Sequence, residues 1–131
     1  VHDGWTYAPT VLVEPPRHCP VWREETFGPV VSVVEVADLD EAIEIANDTE
    51  YGLSAAVLSH DLTRGMHAAR RLRSGAVHLG MHPFQSNTMA PVGGVGASGL
   101  GRSGGRYSVE HFTELKWISL AVGAPPAAEI A

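Results

Sequence analysis

The fold is decided by residues 30–79, which read VVSVVEVADLDEAIEIANDTEYGLSAAVLSHDLTRGMHAARRLRSGAVHL. Three short apolar runs in this stretch, beginning at Val30, Ser54 and Ala76, are typical of buried strands. The two longer stretches between them place apolar residues at helical spacing. Strand, helix, strand, helix and strand joined by short connections predict a parallel sheet with helical crossovers. The predicted fold class is therefore α/β.

Both predicted helices carry signals at their ends. Asp38 can accept from the first-turn amides of the first helix while Glu41, three residues on, reaches back towards the same end. The second helix begins near Leu62 and its last turn is rich in cations, which suit the negative end of the helix dipole. Gly75 follows, where we expect a left-handed cap. The cations concerned are Arg70, Arg71 and Arg73.

The chain changes character after Leu79. Residues 80–108 are rich in Gly and lack periodicity, which predicts a long loop of the kind that is usually functional. A short helix is predicted at Val109–Glu114, followed by a strand with the sequence LKWISL at Leu115–Leu120. We divide the chain into a main unit (1–112), the C-terminal strand (113–120) and a disordered tail (121–131).

Composition excludes several classes of protein. The 131 residues include nine Lys plus Arg, fifteen Asp plus Glu and one Cys, with 44% hydrophobic residues. One Cys allows neither an internal disulfide nor a zinc site with two thiolates, and it favours a reducing, cytoplasmic setting. The net charge of −6 argues against a nucleic-acid partner. The longest uncharged run is interrupted by Pro and Gly, so we predict no membrane span.

Two motifs invite a chemical interpretation that their context does not favour. Gly94–Gly99 matches G-x-G-x-x-G, but no strand precedes it and the first acidic residue after it is Glu110. A loop that folds closely over its own sheet is the favoured alternative to a phosphate site. His18 and Cys19 are adjacent, yet the following Pro20 keeps the segment extended, so a structural Cys is favoured over an activated thiolate. The seven His show no metal-ligand spacing, so no metal site is predicted.

The most informative short segment is REETFGP at residues 23–29. In extended backbone Glu25 and Phe27 lie on the same side, which sets a carboxylate beside an aromatic face. A carboxylate can accept from two vicinal hydroxyls and an aromatic face can pack on a flat ring, as half of a nicotinamide riboside site requires. The alternative is an ordinary surface strand that runs into a Gly-Pro turn.

At these residues the chain resembles the aldehyde dehydrogenase superfamily. The similarity runs in family order from PTVL at Pro9 through almost the whole chain, and SGAVH and GGVGASG most resemble the benzaldehyde, vanillin and salicylaldehyde dehydrogenases. The motifs that carry it are PTVL, REETFGPVVSVV, ANDTEYGLSAAVLS, SGAVHL, PVGGVGASGLGRSGG and FTELKWISL.

The resemblance implies roles for particular residues. It places the ribose-binding glutamate on Glu25, the nicotinamide-side phenylalanine on Phe27 and a cofactor-lining leucine on Leu53, with NAD or NADP as the cofactor. It also implies that the loop from Phe84 to Val92 forms part of the wall of the aldehyde tunnel. Two positions depart from the family pattern. Val92 replaces an aromatic residue, which reshapes the pocket, and Gly80 replaces an Asn, which alters the local loop.

The resemblance also implies what this chain lacks. The family reaction oxidises an aldehyde to the acid through a Cys thiohemiacetal and thioester, and the Cys, the general base and the Rossmann domain lie upstream of the part that resembles this chain. Cys19 matches none of these positions, so no catalytic residue is predicted and the chain alone should be inactive. The resemblance places residues 1–112 in the C-terminal part of the catalytic domain and makes residues 113–120 an oligomerisation strand. Family members use the strand matching Leu115–Leu120 to form dimers or tetramers. A non-catalytic structural or regulatory module, and a small α/β binding domain similar by chance, remain the alternatives.

Overall fold

Four short strands and three helices form the framework of the chain, for which we describe residues 4–85 and 87–123 of a computed structural model. The strands and helices, in chain order, are β1 (Thr10–Val13), β2 (Val30–Val33), α1 (Leu39–Asn47), β3 (Ser54–Val57), α2 (Leu62–Arg71), β4 (Ala76–Leu79) and α3 (Arg106–Phe112). Two short 3-10 turns lie at Pro20–Trp22 and Gly96–Ser98. Parallel strands combined with helices confirm the α/β class.

The strands pair differently from the single three-stranded sheet that the sequence predicts. Within the described residues β2 pairs in parallel with β1, with Thr10 opposite Val30, and β3 pairs in parallel with β4, with Ser54 opposite Ala76. The expectation that all three predicted strands share one sheet is therefore wrong. β1 was not predicted because four residues between Pro9 and Glu14 are too few to show a period.

The N-terminus of α1 is built as its sequence predicts, and that of α2 has a cap that the sequence analysis did not predict. The Asp38 carboxylate accepts from the Glu41 backbone N–H at 2.9 Å, and Glu41 Oε2 accepts from the Ala37 N–H at 2.7 Å. Asp61 caps α2 by accepting from the Thr63 N–H at 2.8 Å. Each bond satisfies an amide at or beside a helix start that has no partner within the helix, which fixes where α1 and α2 begin.

The C-terminal end of α2 differs from the prediction. Leu72 leaves the helix in extended backbone, and Gly75 does not have a positive φ, so the expected left-handed cap is absent. The end is instead held by Asn47 at the last turn of α1. Its amide nitrogen donates to the Arg71 carbonyl at 2.9 Å and its amide oxygen accepts from the Arg73 N–H at 2.8 Å. One side chain thus satisfies two backbone groups that α2 leaves open.

Two basic residues of α2, Arg71 and His67, have a specific partner. Arg71 forms an ion pair with Asp40 of α1, and His67 lies beside the same carboxylate. The hydrogen bond from Arg71, and then its charge, hold the pKa of Asp40 below the usual range. Interaction with the helix dipole is thus only part of the role of these cations, because Arg71 also joins the two helices.

The buried core is small and lies where α1 packs on α2. Ile43 of α1 and Ala68 of α2 are its buried hydrophobic residues, at 3% and 2% exposure. The accessible surface is 11049 Å², whereas a compact monomer of 13.9 kDa exposes about 6700 Å². One face of the first strand pair is an uncovered row of Val11, Val13, Val31 and Val33. Among the described residues, no helix is both long and apolar enough to cross a membrane.

The C-terminal elements differ from the prediction, since α3 begins three residues before the predicted helix Val109–Glu114 and ends two residues before its end. α3 ends at Phe112, and Leu115–Leu120 forms no strand in the structure. A strand needs hydrogen bonds to a neighbouring strand, and for this segment the described chain supplies none. Leu115 and Trp117 are almost fully exposed. Residues 124–131 of the predicted disordered tail lie outside the described residues.

Candidate functional site

A cleft of about 700 Å³ lies between the segment that follows the first 3-10 turn and the start of β3. It brings Glu25 and Leu53 together, although 28 positions separate them in the sequence. Its volume falls within the range of about 300–1000 Å³ that is typical of small-molecule sites. The residues of the cleft used below are Glu24, Glu25, Leu53, Ser54, Ala97 and Ser98.

Glu25 lies on a segment that is anchored on both sides of the 3-10 turn. The Trp22 indole N–H donates to the Pro15 carbonyl at 2.9 Å, and the Arg17 guanidinium lies 4.2 Å from the centre of the same ring. Arg23 forms an ion pair with Asp48 at the end of α1. Within the described residues the Glu25 carboxylate has no ion-pair or hydrogen-bond partner, so both of its oxygens are available to a ligand.

Leu53 is positioned by the glycine-rich loop. The carbonyl of the preceding Gly52 accepts from the Gly75 N–H at 3.0 Å and from the Val95 N–H at 2.9 Å. The Gly52 N–H donates to the Ser98 hydroxyl at 2.9 Å. These bonds join three segments at Gly52, just before β3, so the loop holds the adjoining Leu53 backbone in place.

The same hydrogen bonds determine the structural role of the Gly94–Gly99 motif. The Val95 and Ala97 N–H groups, which would face a phosphate in a dinucleotide-binding turn, donate instead to the Gly52 and Glu50 carbonyls at 2.9 Å. A Cβ atom on Gly75 would lie 1.7 Å from the Gly93 carbonyl oxygen, so the two backbones approach directly. The predicted loop that folds over its own sheet is confirmed.

Phe27 does not line the cleft. A tight turn between Thr26 and Gly28, closed by a 2.6 Å hydrogen bond, follows Glu25, and Phe27 is 97% exposed. The aromatic face therefore stands outside the cavity that contains the carboxylate. An exposed ring of this size is a surface on which a flat ligand or a further part of the protein can pack.

The two residues expected in the tunnel wall, Phe84 and Val92, also lie outside this cleft. Phe84 is exposed and its ring centre is 6.4 Å from that of His82. Its loop is tied to the cleft because the Ser54 hydroxyl donates to the Pro83 carbonyl at 2.9 Å. Val92 exchanges two 2.8 Å backbone hydrogen bonds with Ser103, which fix the loop beyond.

Cys19 has a structural position. It precedes the 3-10 turn, its N–H donates to the Pro16 carbonyl at 2.9 Å, and it is half-buried without lining the cleft. In the described part of the chain no group of three metal-ligating side chains occurs. The groups that the cleft offers to a ligand are the carboxylate of Glu25, unpaired among the described residues, and the apolar side chain of Leu53.

Sequence reasoning did not identify the contact between Arg23 and Asp48. The hydrogen bond between them, and then the opposite charge, lower the pKa of Asp48 and raise that of Arg23. Both residues stand in motifs that the sequence analysis singled out. No pattern links two side chains 25 positions apart, so only the folded chain shows the pair.

Comparison with known proteins identifies the family of this chain. The profile described as the aldehyde dehydrogenase family matches residues 1–118. A benzaldehyde dehydrogenase of Pseudomonas putida, whose name specifies NAD(+), is 41% identical over 115 residues, which cover 87% of this chain and 24% of that protein. A glutarate-semialdehyde dehydrogenase of Pseudomonas aeruginosa is 40% identical over 117 residues, covering 89% of this chain and 24% of that protein.

Solved structures show the same relationship. The crystal structure of a salicylaldehyde dehydrogenase from Pseudomonas putida G7, complexed with salicylaldehyde, matches with a TM-score of 0.82 and 35% identity over 90% of this chain and 24% of that chain. The chain thus spans about a quarter of the length of these relatives. Because the family profile covers nearly all of its residues and the fold agrees, the chain belongs to the aldehyde dehydrogenase family.

Proposed function

We propose that this chain is part of an NAD(P)-dependent enzyme that oxidises an aromatic aldehyde to the carboxylic acid through a Cys thiohemiacetal and thioester. Family membership supports the reaction class, and relatives named for benzaldehyde and salicylaldehyde support the aromatic substrate. One observation carries the proposal for this chain. The partner-free Glu25 carboxylate opens on a cleft of about 700 Å³ that it shares with Leu53.

The residues of the cleft fit a nicotinamide riboside. Glu25 would accept hydrogen bonds from two ribose hydroxyls, and Leu53 would supply apolar contact to the ring. The exposed Phe27 would pack against the other flat surface of the nicotinamide. The cofactor, when bound, supplies the hydride acceptor. The contribution of these three residues is to orient it, since holding reacting groups in place removes much of the entropic barrier.

The remaining roles concern the substrate and assembly. Phe84 and Val92 would form part of the aldehyde tunnel, with Ser54 tying the Phe84 loop to the cleft. The nucleophile would come from a part of the enzyme outside this chain. Leu115–Leu120 would pair with a second subunit, which the exposed Trp117 supports. A reducing, cytoplasmic setting is consistent with the single Cys.

Glu25→Gln in the enzyme that contains this chain tests the proposal. The amide keeps the shape of the side chain but loses the charge that accepts from both hydroxyls, so single-turnover hydride transfer should slow by about 10-fold to 100-fold while cofactor affinity changes less. Glu24→Gln is the matched control, because it removes a neighbouring carboxylate from the same cleft. An unchanged hydride-transfer rate in Glu25→Gln would refute the assignment of Glu25 to the nicotinamide ribose.

The choices of cofactor and substrate need separate assays. NAD and NADP should be compared at equal concentration, and benzaldehyde should be compared with glutarate semialdehyde. A higher kcat/KM for benzaldehyde supports the aromatic assignment, whereas a higher value for the semialdehyde would contradict it without affecting the role of Glu25.

A further inference from the structure

The guanidinium of Arg23 donates three hydrogen bonds to Asp48 at the end of α1. Its two terminal nitrogens donate to the two carboxylate oxygens of Asp48 at 2.9 and 2.8 Å, and one of them also donates to the Asp48 carbonyl at 2.9 Å. A bidentate pair of this kind fixes direction as well as distance, because the planar fork matches both carboxylate oxygens.

Asp48 is itself a fixed point. Its N–H donates to the Ile45 carbonyl at 3.1 Å as the last bond of α1. The preceding Asn47 is bonded to the backbone of both Arg71 and Arg73 at the end of α2. Arg23 therefore holds a carboxylate whose position is set by the packed pair of helices.

Apart from this pair, the hydrogen bonds that the described structure gives residues 23–28 do not reach α1 or β3. The backbone N–H groups of Arg23 and Glu24 donate to Pro20, and the Gly28 N–H donates to Thr26. These bonds all run within the segment. They shape it locally but do not locate it relative to Leu53 on the opposite side of the cleft.

The energetics favour a positioning role over a stabilising one. The Arg23 and Asp48 side chains are 59% and 56% exposed, and exposed ion pairs contribute little to folding stability. The mutual hydrogen bond lowers the pKa of Asp48 and raises the pKa of Arg23, so both groups stay charged at neutral pH. The pair is thus oppositely charged at neutral pH.

We propose that Arg23 and Asp48 are positioning residues that locate the Glu25 carboxylate for hydride transfer. The inference rests on the proposed function, because it assigns to the pair the orientation of a residue that is itself proposed to hold the ribose. Arg23 stands two positions before Glu25, so loss of the pair lets the carboxylate swing without removing it.

The test compares Arg23→Gln and Asp48→Asn with Glu25→Gln in the enzyme that contains this chain. Each of the two variants should slow single-turnover hydride transfer by about tenfold, since a displacement of about 1 Å at a reacting group costs up to about a hundredfold. Cofactor affinity and the thermal midpoint should change little. Arg23→Lys, which keeps the charge but not the fork, should restore part of the rate.

The double variant Arg23→Gln with Glu25→Gln isolates the coupling. If Arg23 acts through Glu25, the double variant should be no slower than Glu25→Gln alone, because residues acting as one unit are not additive. Arg71→Gln is the control, since it removes another exposed ion pair of α1 and should leave hydride transfer unchanged.

The outcomes separate the two proposals. Additive losses in the double variant, or a normal rate in both Arg23→Gln and Asp48→Asn while Glu25→Gln is slow, overturn the positioning role and leave the proposed function standing. A normal rate in Glu25→Gln overturns both. If Arg23→Gln fails to fold, Asp48→Asn and Arg23→Lys provide the same comparison.

Discussion

Gly75→Ala should destabilise the chain strongly, because this glycine lies against backbone. A Cβ atom there would stand 1.7 Å from the Gly93 carbonyl oxygen and 2.8 Å from the Gly93 carbonyl carbon. Real Cβ contacts are essentially never shorter than 3.0 Å, so the two segments would have to move apart by more than 1 Å. The Gly75 and Val95 N–H groups, which both donate to the Gly52 carbonyl, lie on the segments that would move.

The size of the effect follows from these contacts. Overpacking costs about 1–3 kcal/mol, and each of the two backbone hydrogen bonds contributes about 0.5–1.5 kcal/mol. The expected loss of unfolding free energy is therefore about 4 kcal/mol. With a slope of about 2 kcal/mol per molar urea, as for a protein of this chain's size, the unfolding midpoint should fall by about 2 M, and the larger slope of a longer protein makes the shift proportionally smaller.

Gly65→Ala is the matched control and should have the opposite sign. Gly65 lies inside α2, and its Cβ would meet Leu79 Cδ2 at 3.5 Å, an ordinary contact. Alanine should add about 1 kcal/mol because glycine is a poor helix former. If Gly75→Ala has the same urea midpoint as the wild type while Gly65→Ala is stabilised, the inferred close contact between Gly75 and the Gly93 carbonyl is refuted.

Three further predictions concern catalysis, assembly and pH. The isolated chain should show no aldehyde oxidation, and Cys19→Ser in the complete enzyme should leave turnover nearly intact; a rate that Cys19→Ser abolishes contradicts the assignment. Trp117→Glu should weaken the oligomer of the complete enzyme, since an uncompensated charge in a strand pairing is costly; an unchanged mass by light scattering, also after removal of the residues from Leu115 onward, would exclude this interface. Because the pKa of Asp48 is lowered on folding, its pair with Arg23 stabilises above the ordinary Asp pKa and is lost as pH falls through the lower folded value. The difference in urea midpoint between wild type and Asp48→Asn should therefore be small at neutral pH and should vanish once the pH falls below the lowered pKa of Asp48, and a difference that persists in acid would contradict the shift.

The features that sequence reasoning predicted well are local ones. Asp38 and Glu41 are three residues apart, so one short stretch of sequence determines where α1 begins. The positions of β3, α2 and β4 were likewise predictable from short stretches of sequence. Strand pairing is not local in this way. β2 has the composition of a buried strand whichever neighbour it pairs with, so its pairing with β1 was not predictable from its own residues.

The residues of the candidate site show the same difference between local and non-local features. Glu25 and Leu53 were identified by resemblance, and the fold brings them to one cleft. Phe27 was expected beside Glu25 from the two-residue period of extended backbone, but the turn at Thr26–Gly28 breaks that period. The contact between Arg23 and Asp48 joins exposed charges 25 positions apart in the sequence. The sequence alone does not distinguish this ion pair from many other possible pairs of opposite charges.

The two strand pairs have a consequence for the kinetics of folding. Thr10 pairs with Val30 and Ser54 with Ala76, separations of 20 and 22 residues, so each pair closes a short loop at similar entropic cost. Short sequence separation favours rapid folding. We therefore expect each pair to form early as a unit of its own, with the docking of the two units across the cleft as the later step. Transient separation of these units would open the cleft while both ladders stay protected from amide exchange.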